Sequence, residues 1–447
     1  MNAMARCGTR TILRRSAPGR LLLRLQNHQR QLCHRYRELI PLLALLPLLS
    51  SCQGHRQSLH VLVVPIARME WLRDDYRNEQ EWEPLRREFR KIHPEVDLQI
   101  SVGSESNIKE YLRLGRSRGL GPDLLLVQAP VAMALLDGAL VQPLPEQPEV
   151  RRSLALVEPN DLKRVTGPRG VAGLPMFSEI TLACFDRRRL PQAPTSLDEL
   201  LAVAASGKPI GLAVEPTSLW WTAGAMGAQG ALAPIFTGNP RGAVGSSEAS
   251  DRSALETWLM WLRQTTLQSR VDLASGPQDL TVGLESGRLA WIPCYSLTLR
   301  RLERTMGAHL GVAPLPSGPG GLPTPSSTLR IWSLGVDSSP RQRRLALSLM
   351  ELSLNPLVQR QLTLGTKMVL PANRFVPIPV ASSGKLAAIE QAQLQFTQTS
   401  SLLVTPYSAD RVKQVLPTIE AVLSQVLVGV MTPRQGSEAL MRLYPKR

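Results

Sequence analysis

The sequence is poor in the residues and motifs on which many catalytic and metal sites depend. After residue 52 it keeps only four histidines, and they are scattered along the chain. The patterns H-E-x-x-H, G-x-S-x-G and G-x-x-x-x-G-K-[ST] are absent. We therefore expect no enzyme, no cofactor and no metal site. A glycoside-active enzyme with two carboxylates is the alternative, because such carboxylates meet only in the folded protein.

Aromatic residues are also few, at 4% of the chain, and none alternate with basic residues in the way that base-stacking proteins require. The net charge of +16 is unevenly divided. Residues 1–51 contain nine arginines, no lysine and the single acid Glu38, so half of the net charge lies in that short segment. The rest of the chain has a modestly basic, solvated surface, and we predict no nucleic-acid partner.

No apolar run is long enough to cross a bilayer. The longest, Leu39 to Leu49, has eleven residues, whereas a membrane-spanning helix needs roughly 20. Arginines precede this run and Ser-Ser-Cys52 follows it, in the order that resembles a bacterial lipoprotein signal. The pattern predicts that residues 1–51 are a signal peptide and that Cys52 carries the lipid anchor. A buried apolar helix is the alternative, which the two prolines in the run disfavour.

Two cysteines, Cys184 and Cys294, remain beyond the predicted anchor. An exported protein tolerates a disulfide, but free cysteines are also commonly buried. The sequence leaves both arrangements open.

The chain length exceeds what one hydrophobic core usually supports, so two lobes are expected. The segment from Gly170 to Asp186 is interpreted as a crossover between them. Because Pro175 lacks an N–H donor, we expect it to interrupt the strand that resumes at Ile180. The Pro- and Gly-rich segment from Gly311 to Pro325 is interpreted as the second crossover.

Hydrophobic periodicity predicts alternating strands and helices. A buried strand at 60–64 precedes a helix from Glu81, and alternation at 96–100 predicts the next strand. This is the unit of a parallel sheet. Further along, residues 237–252 are predicted to form a loop, and Ser253 is predicted to cap the helix that follows.

Several short motifs in a fixed order resemble the extracellular solute-binding proteins of bacterial ABC transporters, family 1, which includes maltose-binding protein. The resemblance covers nearly all of the chain after the signal peptide. The motifs are W-E-P-L-R-R-E-F-R-K-I-H-P-E-V, G-P-D-L-L-L-V, D-G-A-L-V-Q-P-L, G-L-P before a strand, P-T-S-L-D-E-L-L, E-S-G-R-L-A-W, G-V-A-P-L-P-S-G-P-G-G and L-P-A-N.

The resemblance implies an α/β fold of two Rossmann-like lobes joined by a hinge, the periplasmic binding protein-like type II arrangement, closing on a ligand. It implies a first lobe of residues 52–178 plus 313–378 and a second lobe of residues 179–312 plus 379–447.

The implied ligand-binding residues follow strand ends or the crossover. Glu179 would accept hydrogen bonds from ligand hydroxyls, or form a salt bridge between the lobes. Arg330 would favour a carboxylate or phosphate, or be a surface arginine. The full predicted set is Trp71, Gln128, Glu179, Trp220, Trp221, Tyr295 and Arg330.

The roles of the others follow from their chemistry. Gln128 offers an amide that donates and accepts. Trp71, Trp220 and Trp221 would stack on a sugar ring, with one of the adjacent pair in the core. Tyr295 stands near a turn that relatives build with Gly-Pro-aromatic, from which Pro-Cys-Tyr-Ser departs here.

The implied function is capture of a sugar or small glycoside and its delivery to an ABC permease. The expected protein is a lipid-anchored monomer on the periplasmic or extracytoplasmic face of a membrane. A polyol phosphate or glycerophosphodiester is the alternative ligand, and an assembly lipoprotein without a small ligand is a further alternative.

Overall fold

The computed structural model describes residues 57–72, 79–238, 247–399 and 409–445. The predicted signal peptide and Cys52 lie outside these residues. Ser58–Arg447 forms one compact unit. Among the described helices, none is long and apolar enough to cross a membrane.

The described part of the chain alternates strands and helices, which confirms the predicted α/β class. The strands are β1 Gln57–Val63, β2 Val96–Val102, β3 Leu124–Gln128, β4 Val141–Gln142, β5 Thr166–Gly167, β6 Gly170–Val171, β7 Leu174–Asp186, β8 Ile210–Ala213, β9 Val271–Ala274, β10 Trp291–Tyr295, β11 Leu310–Ala313, β12 Ser327–Gly335 and β13 Leu370–Pro371.

The α-helices range from about two to more than five turns. They are α1 Glu79–Ile92, α2 Ile108–Arg118, α3 Ala129–Asp137, α4 Pro148–Ala155, α5 Pro159–Val165, α6 Leu197–Ala205, α7 Pro216–Ala225, α8 Gln229–Thr237, α9 Glu248–Thr266, α10 Pro277–Glu285, α11 Leu299–Met306, α12 Pro340–Ser353, α13 Pro356–Thr366, α14 Gly384–Thr399, α15 Ala409–Val428 and α16 Pro433–Met441. Short 3₁₀ helices occupy Ala67–Leu72, Ser296–Thr298, Gly307–His309 and Val380–Ser382.

One mixed sheet runs through both halves of the molecule in the order β2-β1-β3-β12-β7-β10-β8-β9. β1 and β3 are parallel, as are β8, β9 and β10 where they pair. β12 and β7 lie at the centre and are antiparallel to each other. The sheet therefore has a parallel part at each end and an antiparallel middle.

Strand β7 passes from one half to the other. Its residues up to Ile180 pair with β12, and those from Thr181 onward pair with β10 and, near the end, with β11. This is the predicted crossover.

The predicted interruption at Pro175 is wrong, because β7 continues through that residue. Pro175 pairs with Ile331, whereas Arg330 pairs with Phe177, so one extra residue, Met176, is accommodated by a β-bulge. A bulge lets a proline stay in a strand that would otherwise need its donor. Gly173, just before the strand, lies so close to the carbonyl of Trp332 that a side chain there would collide with it.

Hydrophobic cores lie in both halves. On one face, a core containing Leu126, Trp332 and Phe89 belongs to the first half, and a core containing Ala183 and Trp291 belongs to the second. The residue boundaries predicted for the lobes remain a prediction.

Two further differences from the sequence predictions concern local structure. Helix α9 begins at Glu248 and is capped by Ser247, whose hydroxyl accepts from the Ser250 N–H, so the predicted start at Ser253 is wrong.

Cys184 and Cys294, whose pairing the sequence left open, form a disulfide between β7 and β10, with Cα atoms 5.8 Å apart.

Candidate functional site

A row of polar side chains crosses the middle of the sheet on one face. Directly opposed residues of antiparallel strands share a face, as do residues two apart along one strand. The pairs Arg330 with Gln128, Thr328 with Glu179, and Tyr295 with Thr181 are directly opposed. We call this set the polar row: Gln128, Arg330, Thr328, Glu179, Thr181 and Tyr295.

The polar row separates two apolar cores. Leu126 and Trp332, two residues along from Gln128 and Arg330, belong to the core of the first lobe. Ala183, two residues along from Thr181, belongs to the core of the second. A polar row between two cores is the arrangement expected where two lobes meet over a ligand.

Glu179 lies near the centre of the polar row and is only 2% exposed. Its Oε1 is 4.0 Å from Nε of Arg330. Among the described residues, neither carboxylate oxygen has a hydrogen-bond partner. Burial raises the pKa of Glu179 to about 7, because the lost hydration of the carboxylate outweighs the attraction of the Arg330 charge.

Arg330 is completely buried, so the surface-arginine alternative is wrong. Its Nη2 donates to the carbonyls of Val64, at 2.8 Å, and Leu126, at 3.2 Å. The guanidinium therefore ties β12 to the end of β1 and to the middle of β3 while facing Glu179. The sequence alternative of an ion pair at Glu179 is present in the structure.

Gln128 is half-buried at the carboxyl end of β3. Its Nε2 donates to Oε2 of Glu105, at 2.7 Å, in the loop after β2. Ligands of α/β sheets bind outside the carboxyl ends of the strands. Gln128 is therefore at the edge where a ligand of the first lobe is expected.

Tyr295 ends β10 and packs against the core of the first lobe although its strand belongs to the second-lobe sheet. The next residue, Ser296, is fully buried, and its hydroxyl accepts from the Ile180 N–H at 3.2 Å. These contacts fix the end of β10 beside the polar row.

Trp71 lies in the 3₁₀ helix after β1 and is half-buried. The guanidinium of Arg301 is 5.1 Å from the centre of its ring. Glu285 holds Arg301 through two hydrogen bonds, Nε to Oε1 at 2.7 Å and Nη2 to Oε2 at 2.9 Å. Trp71 thus contacts Arg301 of α11, which Glu285 of α10 holds in place, and one face of its ring is covered by a cation.

The adjacent tryptophans of α7 have different surroundings. Trp221 is 1% exposed and packs on Trp291, with ring centres 6.1 Å apart. It packs in the second-lobe core, as expected of one of the adjacent pair, and its contact with a ligand remains a prediction. Trp220 is half-buried and meets Phe236 edge to face at 5.0 Å, beside the second-lobe core.

A pocket of about 260 Å³ lies elsewhere, on the first lobe between α4 and α12. Its walls include Leu144, Glu149, Arg344 and Glu351, and it shares no residue with the polar row. We do not place the ligand in this pocket, because the buried carboxylate without a hydrogen-bond partner among the described residues lies at the polar row.

The sequence analysis missed Thr328, Thr181 and Ser296. The first two lie two residues from Arg330 and Glu179, so the two-residue period of a strand could have identified them. Ser296 follows Tyr295 directly, and no sequence pattern distinguished it as a site residue.

Solved structures of similar fold were found, whereas no protein-family model and no curated protein sequence matches the chain. The GacH receptor of Streptomyces glaucescens, solved unliganded and with acarbose, aligns with a TM-score of 0.68 and 14% identity over 87% of this chain and 97% of that chain. A cyclo/maltodextrin-binding protein complexed with maltotetraose aligns with a TM-score of 0.64 and 17% identity over 88% and 97% of the two chains.

An ABC transporter solute-binding protein from Thermotoga lettingae, bound with alpha-D-tagatose, aligns with a TM-score of 0.62 and 15% identity over 87% of this chain and 99% of that chain. At these identities the likeness establishes the fold alone. The chain has the two-lobed, type II fold of periplasmic sugar-binding proteins.

Proposed function

We propose that this protein is the solute-binding lipoprotein of an ABC importer. It holds a sugar or small glycoside between its lobes at the polar row and delivers it unaltered to a membrane permease. Lipid attached to Cys52 anchors it on the extracytoplasmic side of the membrane, and it acts as a monomer without a cofactor.

The observation that carries this proposal is the carboxylate of Glu179, buried between two cores with no hydrogen-bond donor among the described residues. Buried polar groups are nearly always hydrogen-bonded, and exceptions call for an explanation. Sugar hydroxyls are donors of suitable size, and a carboxylate accepts several of them. Separation of the lobes along the polar row would admit such a ligand.

The charge at the polar row favours a neutral ligand over a polyol phosphate. Arg330 faces Glu179 and already donates to two backbone carbonyls. A phosphate here would lie beside the carboxylate of Glu179. A neutral polyhydroxyl ligand does not meet this repulsion.

Thermal-shift screening of residues 53–447 tests the proposal, because a ligand that binds only the folded protein raises its unfolding temperature. The panel contains maltose, maltotetraose, acarbose, D-tagatose, polyol phosphates and glycerophosphodiesters. We expect a shift with at least one neutral sugar or glycoside and none with the phosphates. A shift only with phosphates would contradict the neutral-ligand assignment.

A further inference from the structure

Helix α2 presents apolar side chains to solvent in addition to its buried face. Ile108 and Leu112 are buried against the first lobe. Tyr111 is 41% exposed, Leu114 is 51% exposed, and Leu120, just after the helix, is 69% exposed. Exposed apolar side chains grouped along one helix indicate an interaction surface more often than isolated ones do.

The same segment is strongly basic. Lys109, Arg113, Arg116 and Arg118 are all exposed, and Glu110 is the one acid between residues 108 and 120. Even with the exposed carboxylate of Asp337, which lies beside Gly121, cations outnumber acids by two to one. Basic residues flanking exposed apolar ones are typical of surfaces that lie on anionic lipid headgroups.

The end of helix α2 lies close to the amino end of β1, where the described part of the chain begins. The chain leaves α2 through Gly119, whose left-handed conformation ends the helix, and reaches Asp123. There the N–H of Asp123 donates to the carbonyl of His60 in β1, and Oδ2 of Asp123 accepts from the His60 N–H, both at 2.9 Å. The amino ends of β1 and β3 therefore lie together, next to the end of α2.

Chain length keeps the predicted anchor near that edge. Four residues separate Cys52 from the first residue of β1. Five extended residue steps reach at most about 18 Å. A lipid on Cys52 would therefore hold this edge of the body close to the bilayer.

We propose that the surface formed by residues 108–120, here named the basic surface, rests on anionic lipid headgroups. The proposal rests on the proposed lipid anchor for its proximity to the membrane. The cations attract the headgroups from both sides of the exposed helix: Lys109, Arg113 and Arg116 lie along one side, and Arg118 lies beside Tyr111 and Leu114 along the other.

This arrangement also orients the ligand site. Gln128 and Arg330 lie at the carboxyl end of β3, whereas the basic surface lies at its amino end. Contact through the basic surface therefore directs the polar row away from the bilayer, toward the solution from which a solute is captured. Docking on a permease requires release of this contact, which is reversible because it is largely electrostatic.

The test uses residues 58–447, the compact unit that contains all the described cores and that lacks the proposed lipid anchor. It is mixed at low salt with sedimentable vesicles of equimolar phosphatidylglycerol and phosphatidylcholine, or of phosphatidylcholine alone. We expect co-sedimentation with the anionic vesicles only, weakened by salt. Changing Lys109, Arg113, Arg116 and Arg118 to Gln should lower partitioning at least tenfold, since each cation near the surface contributes about fivefold.

A charge-matched control changes four exposed arginines of the second lobe, Arg252, Arg270, Arg304 and Arg434, to Gln. It should retain nearly all vesicle binding. Equal loss in both variants, or binding of the unchanged protein to neutral vesicles alone, would overturn the proposal. So would concentration-dependent self-association that disappears in the first variant while vesicle binding persists.

Sugar affinity measured without vesicles separates this proposal from the proposed function. The quadruple variant of the basic surface should bind sugar like the unchanged protein. Vesicle binding without any sugar binding would support the membrane contact and contradict the proposed function. Sugar binding without vesicle binding would support the proposed function and contradict the membrane contact.

Discussion

Oε1 of Glu179 lies 4.0 Å from Nε of Arg330, and both side chains are almost fully buried between the two lobes. The distance is that of an ion pair and exceeds that of a hydrogen bond. A buried pair without close hydrogen bonds recovers only part of its desolvation cost. The protonation state of Glu179 is therefore expected to change with pH and on ligand binding.

The first prediction concerns stability and pH. Because the pKa of Glu179 is raised to about 7 in the folded protein, the folded state holds a proton that the unfolded state releases. The contribution of Glu179 to the free energy of unfolding is therefore largest in acid and falls as the pH rises from about 4.5 to about 7. The full decline is about 3 kcal/mol.

Denaturant unfolding at about pH 5 and about pH 8 measures this decline, and Glu179→Gln should abolish it. His60, whose pKa is lowered mainly by burial, changes stability in the opposite direction and is common to both proteins. The difference between them therefore isolates Glu179. A difference that does not depend on pH would contradict the assigned pKa.

The second prediction concerns ligand binding and protons. Hydroxyls that donate to the carboxylate favour its ionised form and lower the pKa of Glu179 in the complex. Sugar binding should then release a proton near neutral pH, and affinity should rise with pH up to about 7. Calorimetric titrations in buffers of different ionisation enthalpy detect the release, and Glu179→Gln should remove it.

The third prediction separates the adjacent tryptophans. Trp221→Ala should lower the free energy of unfolding by about 3 to 5 kcal/mol, because it leaves a cavity in the core. Trp220→Ala should cost less stability and should weaken sugar binding by about tenfold if its half-buried ring stacks on the ligand. Urea unfolding and calorimetry measure the two effects. Unchanged affinity in Trp220→Ala would remove Trp220 from the site.

The fourth prediction concerns the contact of Trp71 with Arg301. Arg301→Ala removes a cation from the ring of Trp71 and leaves Glu285 without this bidentate partner. If the contact helps bring the lobes together, ligand affinity should fall by about 2- to 30-fold, the range expected for a cation–π interaction of 0.5 to 2 kcal/mol. Arg301→Lys should lose part of the affinity, because lysine keeps the charge without the planar fork. Equal affinities in all three proteins would show that the contact does not assist closure.

The fifth prediction concerns the disulfide. Cys184 and Cys294 are separated by 110 residues. Loss of a cross-link that closes so long a loop should cost about 3 to 5 kcal/mol. Cys184→Ala with Cys294→Ala should therefore unfold at lower urea than the unchanged protein, while sugar affinity stays the same. Full thiol reactivity of the unchanged protein after denaturation without reductant would contradict the disulfide.

Local patterns predicted much of the fold because they depend on neighbouring residues. Trp82, Leu85 and Phe89 of α1 are buried, whereas Ile92, predicted on the same helical face by its spacing, is 54% exposed at the end of the helix. Gln342 and Gln435 complete capping boxes at α12 and α16, and the latter is capped by Thr432. By contrast, β7 runs through Pro175 because its pairing with β12 includes a bulge at Met176, which depends on a partner strand about 150 residues away.

The candidate site was harder to predict for the same reason. Sequence placed Gln128, Glu179 and Tyr295 near strand ends or the crossover, but their alignment in one polar row depends on the register of four strands. The position of Arg330 between Gln128 and Glu179 follows from the pairing of β12 with β3 and β7. The core position of Trp221 follows from the packing of α7 on Trp291.

Calorimetric titration of residues 53–447 with the best neutral ligand from the thermal-shift panel, followed by chromatography of the recovered sugar, tests the central claim most directly. We predict saturable binding at one site per chain, severe weakening in Glu179→Gln, and recovery of the ligand chemically unchanged. Full affinity in a folded Glu179→Gln variant, or conversion of the sugar to products, would contradict the account.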